Sequence, residues 1–235
     1  VHHFVDAALG KVDAVKQLAR YYSQARPTMA TFVSNHDKFA GQRLWDQVQG
    51  DETRYKLAAA GYLLQPGTPF IYYGEEVGQG GVNTLEGDSP LRAPMSWTAD
   101  PTRAGFTTGQ PFRPVAPNVA THNAAAQVRD PQSIYHFYKS MLALRNTRSS
   151  IARGSFEHAF AKGLVLGFQR VWGSQRSLVL INYGTQAAEV KVPGVSGSTT
   201  WTPLWASQGA SPRVPSGTGE PVLNLPAQSV QVFDL

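Results

Sequence analysis

Apolar residues recur at helical spacing near the start of the chain and predict a helix over residues 12–22. The apolar face of this helix consists of Val12, Val15, Leu18, Ala19 and Tyr22. A loop follows the helix. Phe32 and Val33 then belong to a short apolar run that predicts a strand at about residues 29–35.

The same order of elements repeats further along the chain. Asp51 is the predicted N-cap of a second helix, which Gln65-Pro66-Gly67 ends. The predicted apolar face of this helix consists of Leu57, Ala60, Gly61 and Leu64. Residues 70–73 are apolar and β-prone and predict a second strand, which ends at Gly74. Amphipathic helices that alternate with short strands are typical of βαβ units, so we expect an α/β fold with a parallel sheet.

Residues 77–130 are rich in Gly, Pro, Asn and Thr and show little periodicity. A loop of this length in a compact domain is usually functional or contains small elements of its own. Asp130-Pro131 predicts the N-cap and first turn of a third helix, with Arg145 and Arg148 near its C-terminal end. The apolar face of this helix consists of Ile134, Phe137, Tyr138, Met141 and Leu142.

After about residue 152 the pattern changes to short β-rich runs separated by Gly, Pro, Ser and Asn. The runs are GSFEHAF, GLVLGFQRVW, SLVLINYG, AAEVKVP, TTWTPLW, PVLNLP and SVQVFDL. This spacing favours an antiparallel β-sandwich. We therefore predict two domains, residues 1–150 and residues 151–235.

The composition excludes several classes of protein. The chain has 235 residues, a formal net charge of +5 and no run of five or more basic residues, so a nucleic-acid-binding stripe is not predicted. The absence of Cys excludes disulfides and thiolate chemistry. No apolar stretch approaches the roughly 18 residues of a membrane span. The sequence begins at Val1 without a leader pattern, so we expect it to be part of a longer polypeptide.

Polar and titratable side chains follow directly after both predicted strands. Asn35, His36 and Asp37 come after the first strand, and Glu75 and Glu76 come after the second. Ligand-handling residues lie at the carboxyl ends of strands in parallel α/β folds. A carboxylate beside an imidazole at such a place can hydrogen-bond sugar hydroxyls and stabilise positive charge on a sugar ring. The alternative is structural, with the first group capping a loop and the two glutamates forming a solvated pair.

Other candidate sites have less support. His2-His3 lack a spaced third ligand, which argues against a metal site. No phosphate-binding loop or nucleophile elbow is present. Tyr72, Tyr73 and Trp97 are either core residues or a surface on which sugars stack, and we expect the two tyrosines in the core.

Four motifs in order resemble the C-terminal half of the α-amylase family, glycoside hydrolase family 13. They are FVSNHD, AAAGYLLQPGTPFIYYGEEVG, SPLRAPMSW and YHFYKSMLALRNTRSSI. The first resembles the family's conserved region at the seventh strand of a (β/α)8 TIM barrel, and GTPFIYYGEE resembles the eighth strand. The resemblance implies that residues 1–150 form the C-terminal part of that barrel, and that residues 151–235 form the antiparallel β-sandwich domain that follows it.

The resemblance also implies roles for individual residues. Asp37 matches the catalytic carboxylate that stabilises the transition state, and His36 matches a histidine that hydrogen-bonds the same glucose unit. Arg92 resembles an arginine near the rim of the active site in some members. Lys38 and Arg43 follow the motif and are further candidates for substrate contact. Ser34 stands where many members have Asp or Glu.

The family's nucleophile Asp and acid/base Glu match no segment of this chain. The activity that the resemblance implies is that of a retaining enzyme that cleaves α-1,4-glucosidic bonds in starch-like α-glucans or malto-oligosaccharides. We expect an N-terminal segment of the same enzyme as the partner that supplies both missing carboxylates, and we expect this chain alone to be inactive and unable to fold by itself.

Alternatives remain open. An α-glucosidase or glucanotransferase would share this site, and a non-catalytic amylase-like binding or scaffold protein would have lost it. A third alternative is a carbohydrate-binding module in residues 152–235, with Trp172, Trp201 or Trp205 as stacking residues. No cofactor is expected in this chain. Calcium is common in the family, with its ligands expected upstream, although Glu86 and Asp88 are loop carboxylates that could hold a cation. Secretion or a periplasmic location is the expected localisation.

Overall fold

The computed structural model describes residues 2–24, 28–196, 198–207, 209–210 and 219–235. Its helices are α1 His2–Ala8, α2 Val12–Gln24, α3 Leu44–Gln47, α4 Glu52–Leu63, α5 Ala124–Arg129, α6 Ile134–Thr147 and α7 Ser149–Arg153. Its strands are β1 Ala30–Thr31, β2 Thr68–Pro69, β3 Ser155–Lys162, β4 Val165–Trp172, β5 Gln175–Asn182, β6 Ala188–Lys191, β7 Thr202–Ala206, β8 Val222–Leu225 and β9 Ser229–Asp234.

The first half of the chain contains a parallel βαβ unit, as the pattern predicts. β1 pairs in parallel with β2, with Ala30 opposite Thr68, and α4 lies between them in sequence. The strands are shorter than predicted, and the prediction of a strand over residues 70–73 was wrong because β2 ends at Pro69. β1 and β2 form a two-stranded sheet, so each strand has hydrogen-bonding partners on one edge only within the described ranges.

Helix α4 is the centre of this half. The side chain of Asp51 accepts a hydrogen bond from the backbone N–H of Arg54 at 3.0 Å, which confirms the predicted N-cap. The four residues of the predicted apolar face are buried, but so is every other residue from Leu57 to Leu63, so the helix has no polar face along this stretch. α1, α3 and α6 pack against the helix, and strands β5 and β9 also contact it. Burial on all sides removes the polar face that a surface helix would keep.

Two buried arginines hold the carbonyl groups at the C-terminal end of α4. Arg145, from α6, donates to the carbonyl oxygens of Leu63 and Gln65 at 2.8 and 2.9 Å. Arg170, from β4, donates to the carbonyl oxygen of Leu64 at 2.9 Å. The last carbonyls of a helix lack partners within the helix, and these guanidinium groups satisfy them. Arg170 thereby links the antiparallel sheet to the βαβ unit.

The long segment 77–130 has small elements of its own, as expected. It begins at a short 3-10 helix, Glu75–Val77, and contains a second one, Ser89–Arg92, before α5. The predicted N-cap at Asp130 was wrong, because α6 begins at Ile134 and the side chain of Ser133 caps it. Asp130 instead follows the last residue of α5.

The seven β-rich runs form the seven strands β3–β9. A five-stranded antiparallel sheet has the order β3-β4-β5-β9-β7, and β6 pairs with β8 in a second, two-stranded sheet. Successive residues of β5 face opposite sides: Val179 joins the core around α4, whereas Leu178 and Leu180 join a second core with the small sheet. The large sheet is therefore buried on both faces.

The predicted domain division between residues 150 and 151 falls within helix α7 and stays a prediction. The tryptophans of this half differ in exposure: Trp201 is buried, Trp205 contacts Phe137 with ring centroids 5.6 Å apart, and Trp172 is exposed. Within the described ranges, no helix has both the length and the apolar character that crossing a bilayer requires.

Candidate functional site

The first part of the site is a tight turn after β1. Val33 and Ser34 are buried, and the chain then reaches the surface at Asn35. The side-chain oxygen of Asn35 accepts the backbone N–H of Asp37 at 2.7 Å. This local hydrogen bond favours the turn and leaves the side chains of His36 and Asp37 64% and 40% exposed.

Arg92 connects this turn to the 3-10 helix Ser89–Arg92. Its Nη2 donates to Asp37 Oδ1 at 3.0 Å and to Asp88 Oδ2 at 2.9 Å, and its Nε donates to the carbonyl oxygen of His36 at 2.9 Å. The backbone N–H of Lys38 donates to Asp88 Oδ1 at 2.8 Å. Charge-assisted hydrogen bonds of this kind are short and directional, so Arg92 and Asp88 fix the orientation of the turn.

The structure brings the three predicted site residues together. Nε2 of His36 lies 3.3 Å from Oδ1 of Asp37, and Arg92 closes the other side of the same oxygen. The hydrogen bonds to Asp37 use Oδ1, and the partly exposed carboxylate can still accept hydrogen bonds from a ligand. The roles implied by the resemblance for Asp37, His36 and Arg92 stay predictions, because geometry alone assigns none of them.

Arg43 has a different place from the one considered in the sequence. It is fully buried and donates to the carbonyl oxygens of Tyr73 and Leu91 at 2.5 and 2.7 Å. Its guanidinium carbon lies 4.6 Å from the ring centroids of both Tyr72 and Tyr73. Cation–π contacts and carbonyl partners stabilise this buried charge. Arg43 therefore supports the site from beneath and has no surface for substrate.

Glu75 lies beneath the turn, a position that no pattern in the sequence predicts. The alternative of a solvated glutamate pair was wrong for Glu75, which is 1% exposed. Its Oε1 accepts a hydrogen bond from the hydroxyl of Ser34, and its Oε2 accepts one from Tyr62 at 3.1 Å. Tyr55 donates to its backbone oxygen at 2.7 Å. The bond to Ser34 joins the segments that follow β1 and β2, one residue before Asn35.

Burial raises the pKa of Glu75 to about 7, because the hydrogen bonds from Ser34 and Tyr62 and the charge of Arg43 only partly replace lost hydration. The neighbouring Glu76 is partly buried, and burial raises the pKa of its carboxyl as well. The Ser34 position was noted in the sequence as a departure from many family members. Its pairing with Glu75 depends on contacts between residues 41 positions apart.

The expectation that Tyr72 and Tyr73 are core residues was wrong. Tyr73 is 38% exposed, and its hydroxyl donates to the carbonyl oxygen of Ala93 at 2.6 Å. Tyr72 is half-buried and donates to the carbonyl oxygen of Leu91 at 3.1 Å. The two hydroxyls therefore bind the backbone on either side of Arg92.

No group of three or more His, Asp or Glu side chains suited to a metal ion occurs in the part of the chain that the structure describes. Asp88, considered in the sequence as a cation ligand, has Arg92 and the backbone of Lys38 as its partners. The described residues therefore do not fit a calcium site, and no step of the chemistry is assigned to calcium.

Glu75 generates a prediction about pH. Its pKa of about 7 in the folded protein lies above the ordinary value of 4.5 for a glutamate carboxyl. The folded state therefore holds more protons than the unfolded state between these pH values, and stability falls as pH rises. The contribution is fully present below pH 4.5 and is lost as pH rises through 7. Between pH 5 and 8 we expect the free energy of unfolding of the full-length protein to fall by roughly 2–3 kcal/mol relative to that of a Glu75→Gln variant.

Urea unfolding at both pH values measures this difference. Glu86→Gln, which removes an exposed carboxylate from the loop, is the matched control. A difference between the wild-type protein and Glu75→Gln that stays constant from pH 5 to 8 would contradict the prediction.

Comparisons with known proteins identify the family. The family model described as the catalytic domain of α-amylase matches residues 5–154. An oligo-1,6-glucosidase of Parageobacillus thermoglucosidasius is 27% identical over 202 residues, which cover 69% of this chain and 35% of that protein. A probable α-glucosidase of Rhizobium meliloti is 29% identical over 198 residues, which cover 76% of this chain and 36% of that protein.

Solved structures show the same fold. A trehalulose synthase from Pseudomonas mesoacidophila MX-45 is similar with a TM-score of 0.73 at 23% identity, covering 95% of this chain and 46% of that one. An isomaltulose synthase mutant from Erwinia rhapontici NX5 is similar with a TM-score of 0.73 at 20% identity, covering 95% and 45%. The chain thus spans about a third of the length of these curated relatives, at 35% and 36%, and just under half of these solved chains.

The match covers well over half of the chain and includes the βαβ unit, the Asn-His-Asp turn and Arg92. The chain therefore belongs to the α-amylase family, glycoside hydrolase family 13, and has the fold of the C-terminal part of a (β/α)8 TIM barrel followed by an antiparallel β-sandwich.

Proposed function

We propose that this chain supplies part of the active site of a retaining glycoside hydrolase that acts on α-glucosidic bonds. The observation that carries the proposal is the convergence of Asp37, His36 and Arg92 at the carboxyl end of β1. In this family's barrel architecture the substrate lies at that end of the strands.

In the proposed mechanism, Asp37 stabilises the transition state. Cleavage of a glycosidic bond passes through an oxocarbenium-like state in which positive charge develops on the sugar ring. A fixed carboxylate near that ring is most valuable at this moment, because its orientation needs no further change. Arg92 supplies the fixed orientation through its shared hydrogen bond to Asp37 and Asp88.

His36 and Arg92 are proposed as substrate-binding residues. The imidazole of His36 is more exposed than the carboxylate beside it and can donate to or accept from a sugar hydroxyl. Arg92 retains 37% exposure of its side chain after its contacts with the two aspartates. Both residues therefore present polar groups at the surface where Asp37 lies.

The nucleophile Asp and the acid/base Glu are proposed to come from an N-terminal segment of the same enzyme. Retaining hydrolysis needs two carboxylates on either side of the bond, and Asp37 has neither role in this assignment. The exposure of Met29 and Phe70, at 47% and 59%, supports a further structural neighbour beside β1 and β2. An apolar surface next to a strand edge favours such packing.

The α-1,4-glucosidic bond is the proposed target, in starch-like glucans or malto-oligosaccharides. A second candidate is the α-1,6 bond, because one of the relatives is named an oligo-1,6-glucosidase. Glucosyl transfer to an acceptor sugar would use the same site. Calcium in the complete enzyme and secretion or a periplasmic location also remain proposals.

The mutation Asp37→Asn tests the role of the carboxylate. It removes the negative charge and retains the shape, so the loss reports on transition-state stabilisation. In the full-length protein we expect kcat/KM to fall by a factor of about 10²–10³, equivalent to about 3–4 kcal/mol, with little change in the free energy of unfolding. His36→Ala should cause a smaller loss, because it removes a hydrogen-bonding group and no fixed charge.

Asp88→Asn is the matched control for Asp37→Asn, since both carboxylates accept from Nη2 of Arg92. A smaller fall in kcat/KM is expected for Asp88→Asn. Near-normal turnover by Asp37→Asn would end the assignment, and a wild-type protein without glycosidase activity would favour the binding or scaffold alternative.

The bond that is cleaved follows from initial rates on maltotriose and isomaltotriose. The proposal expects faster release of glucose or maltose from maltotriose, which has α-1,4 bonds. Preference for isomaltotriose would replace α-1,4 with α-1,6 as the target bond and leave the role of Asp37 intact.

A further inference from the structure

A second surface of interest lies directly beside Arg92. A cavity of about 490 Å³ is lined by Arg92 and by residues that include three aromatic side chains of the segment 93–113. Trp97, Phe106 and Phe112 are 51%, 54% and 90% exposed. Large exposed aromatic groups gathered around one cavity are typical of a binding site.

The backbone that carries the two central rings is held by hydrogen bonds. The carbonyl oxygen of Ala104 accepts the backbone N–H groups of both Trp97 and Thr98 at 2.9 Å, which closes a compact turn. The chain turns again directly after Ala104, where the backbone N–H of Phe106 donates to the carbonyl oxygen of Arg103 at 2.8 Å. Trp97 and Phe106 are thus presented by an ordered turn, and their exposure is a property of the fold.

A buried amide ties this segment to the loop after β2. Gln79 is 1% exposed, and its Nε2 donates to the carbonyl oxygen of Pro94 at 3.1 Å. Its Oε1 accepts the backbone N–H of Ser96 at 2.9 Å. Both hydrogen-bonding groups of the amide therefore hold the segment immediately before Trp97, which limits the reorganisation that binding would require.

Polar groups lie on the same cavity wall. Arg92 and Arg113 supply guanidinium groups, and Glu76 supplies a carboxylate. Oε2 of Glu76 is buried and has no hydrogen-bond partner among the described residues, so the contacts available at the cavity surface come from the two guanidinium groups. A neutral sugar ring has C–H groups that pack on an aromatic face and hydroxyls that bind planar charged groups at its edge. The lining of this cavity offers both kinds of contact.

We propose that this cavity is a subsite for the sugar unit next to the one that Asp37 contacts, with Trp97 as its main stacking residue. The inference rests on the proposed function, because it names the substrate part that this neighbouring surface takes. Arg92 connects the two positions, since it lines the cavity and donates to Asp37 at 3.0 Å. Trp97 is thus a determinant of substrate length, and Asp37 acts on the unit whose bond is broken.

The test compares two substrates of the full-length protein. Maltose places a sugar on each side of the bond, whereas α-glucosyl fluoride has one glucose unit and no neighbouring sugar. In a Trp97→Ala variant, the ratio of kcat/KM for maltose to kcat/KM for glucosyl fluoride should fall about tenfold or more, mainly through KM. Trp172→Ala is the matched control, because Trp172 is 49% exposed on β4 and should leave the ratio at its wild-type value.

Each remaining outcome has a defined meaning. An equal loss on both substrates would assign Trp97 a structural role and overturn the subsite. An unchanged ratio would also overturn it, as expected if another part of the protein covers the cavity.

If the wild-type protein hydrolyses neither substrate, the proposed function fails separately. Calorimetric titration with maltotriose then decides the subsite: binding lost in Trp97→Ala but kept in Trp172→Ala supports it, and no binding to the wild-type protein overturns it.

Discussion

The buried hydrogen bond between Ser34 and Glu75 is the contact on which the candidate site depends. It joins the residue before the Asn-His-Asp turn to Glu75, in the segment that follows β2. Burial of a carboxylate is costly unless hydrogen bonds and neutralisation offset it. Tyr62 donates to the same carboxylate. Burial raises the pKa of Glu75 to about 7, so this carboxylate can be protonated near neutral pH. The segments that follow β1 and β2 are therefore fixed relative to each other beneath the turn.

Helix α4 is buried because it contacts both the site and the antiparallel sheet. Its tyrosines Tyr55 and Tyr62 direct their hydroxyls to Glu75, while its C-terminal carbonyls are held by Arg145 and Arg170. The helix thus contacts the site at one side and the antiparallel sheet at its end. The β-sandwich adds a second core beyond that sheet, so the sheet is a shared wall between both parts of the fold.

The sequence predicted the elements well where local patterns decide them. The N-cap at Asp51, the seven β-rich runs and the group Asn35-His36-Asp37 after the first strand were all visible from spacing and residue type. The sequence was misleading where long-range contacts decide. The two strands near Ala30 and Thr68 are only two residues long and pair only with each other in the described structure.

The burial of Glu75 and Arg43 also escaped prediction, since a charged residue in isolation favours solvent. Their partners lie up to 48 positions away in the chain and leave no periodic signal. Arg92 was a candidate through the family resemblance, but its hydrogen bond to Asp37, 55 positions away, required the fold. Of the aromatic residues that line the cavity next to it, the sequence singled out Tyr73 and Trp97, but not Phe106 or Phe112.

The most direct measurement of the central claim is a crystal structure of the full-length protein with a cationic glucose mimic, such as 1-deoxynojirimycin, whose ring charge resembles the transition state. The account predicts that the sugar lies at the carboxyl end of β1, with the Asp37 carboxylate accepting hydrogen bonds from its hydroxyls. A bound sugar that makes no contact with Asp37, while Asp37 keeps only Arg92 and His36 as partners, would contradict it.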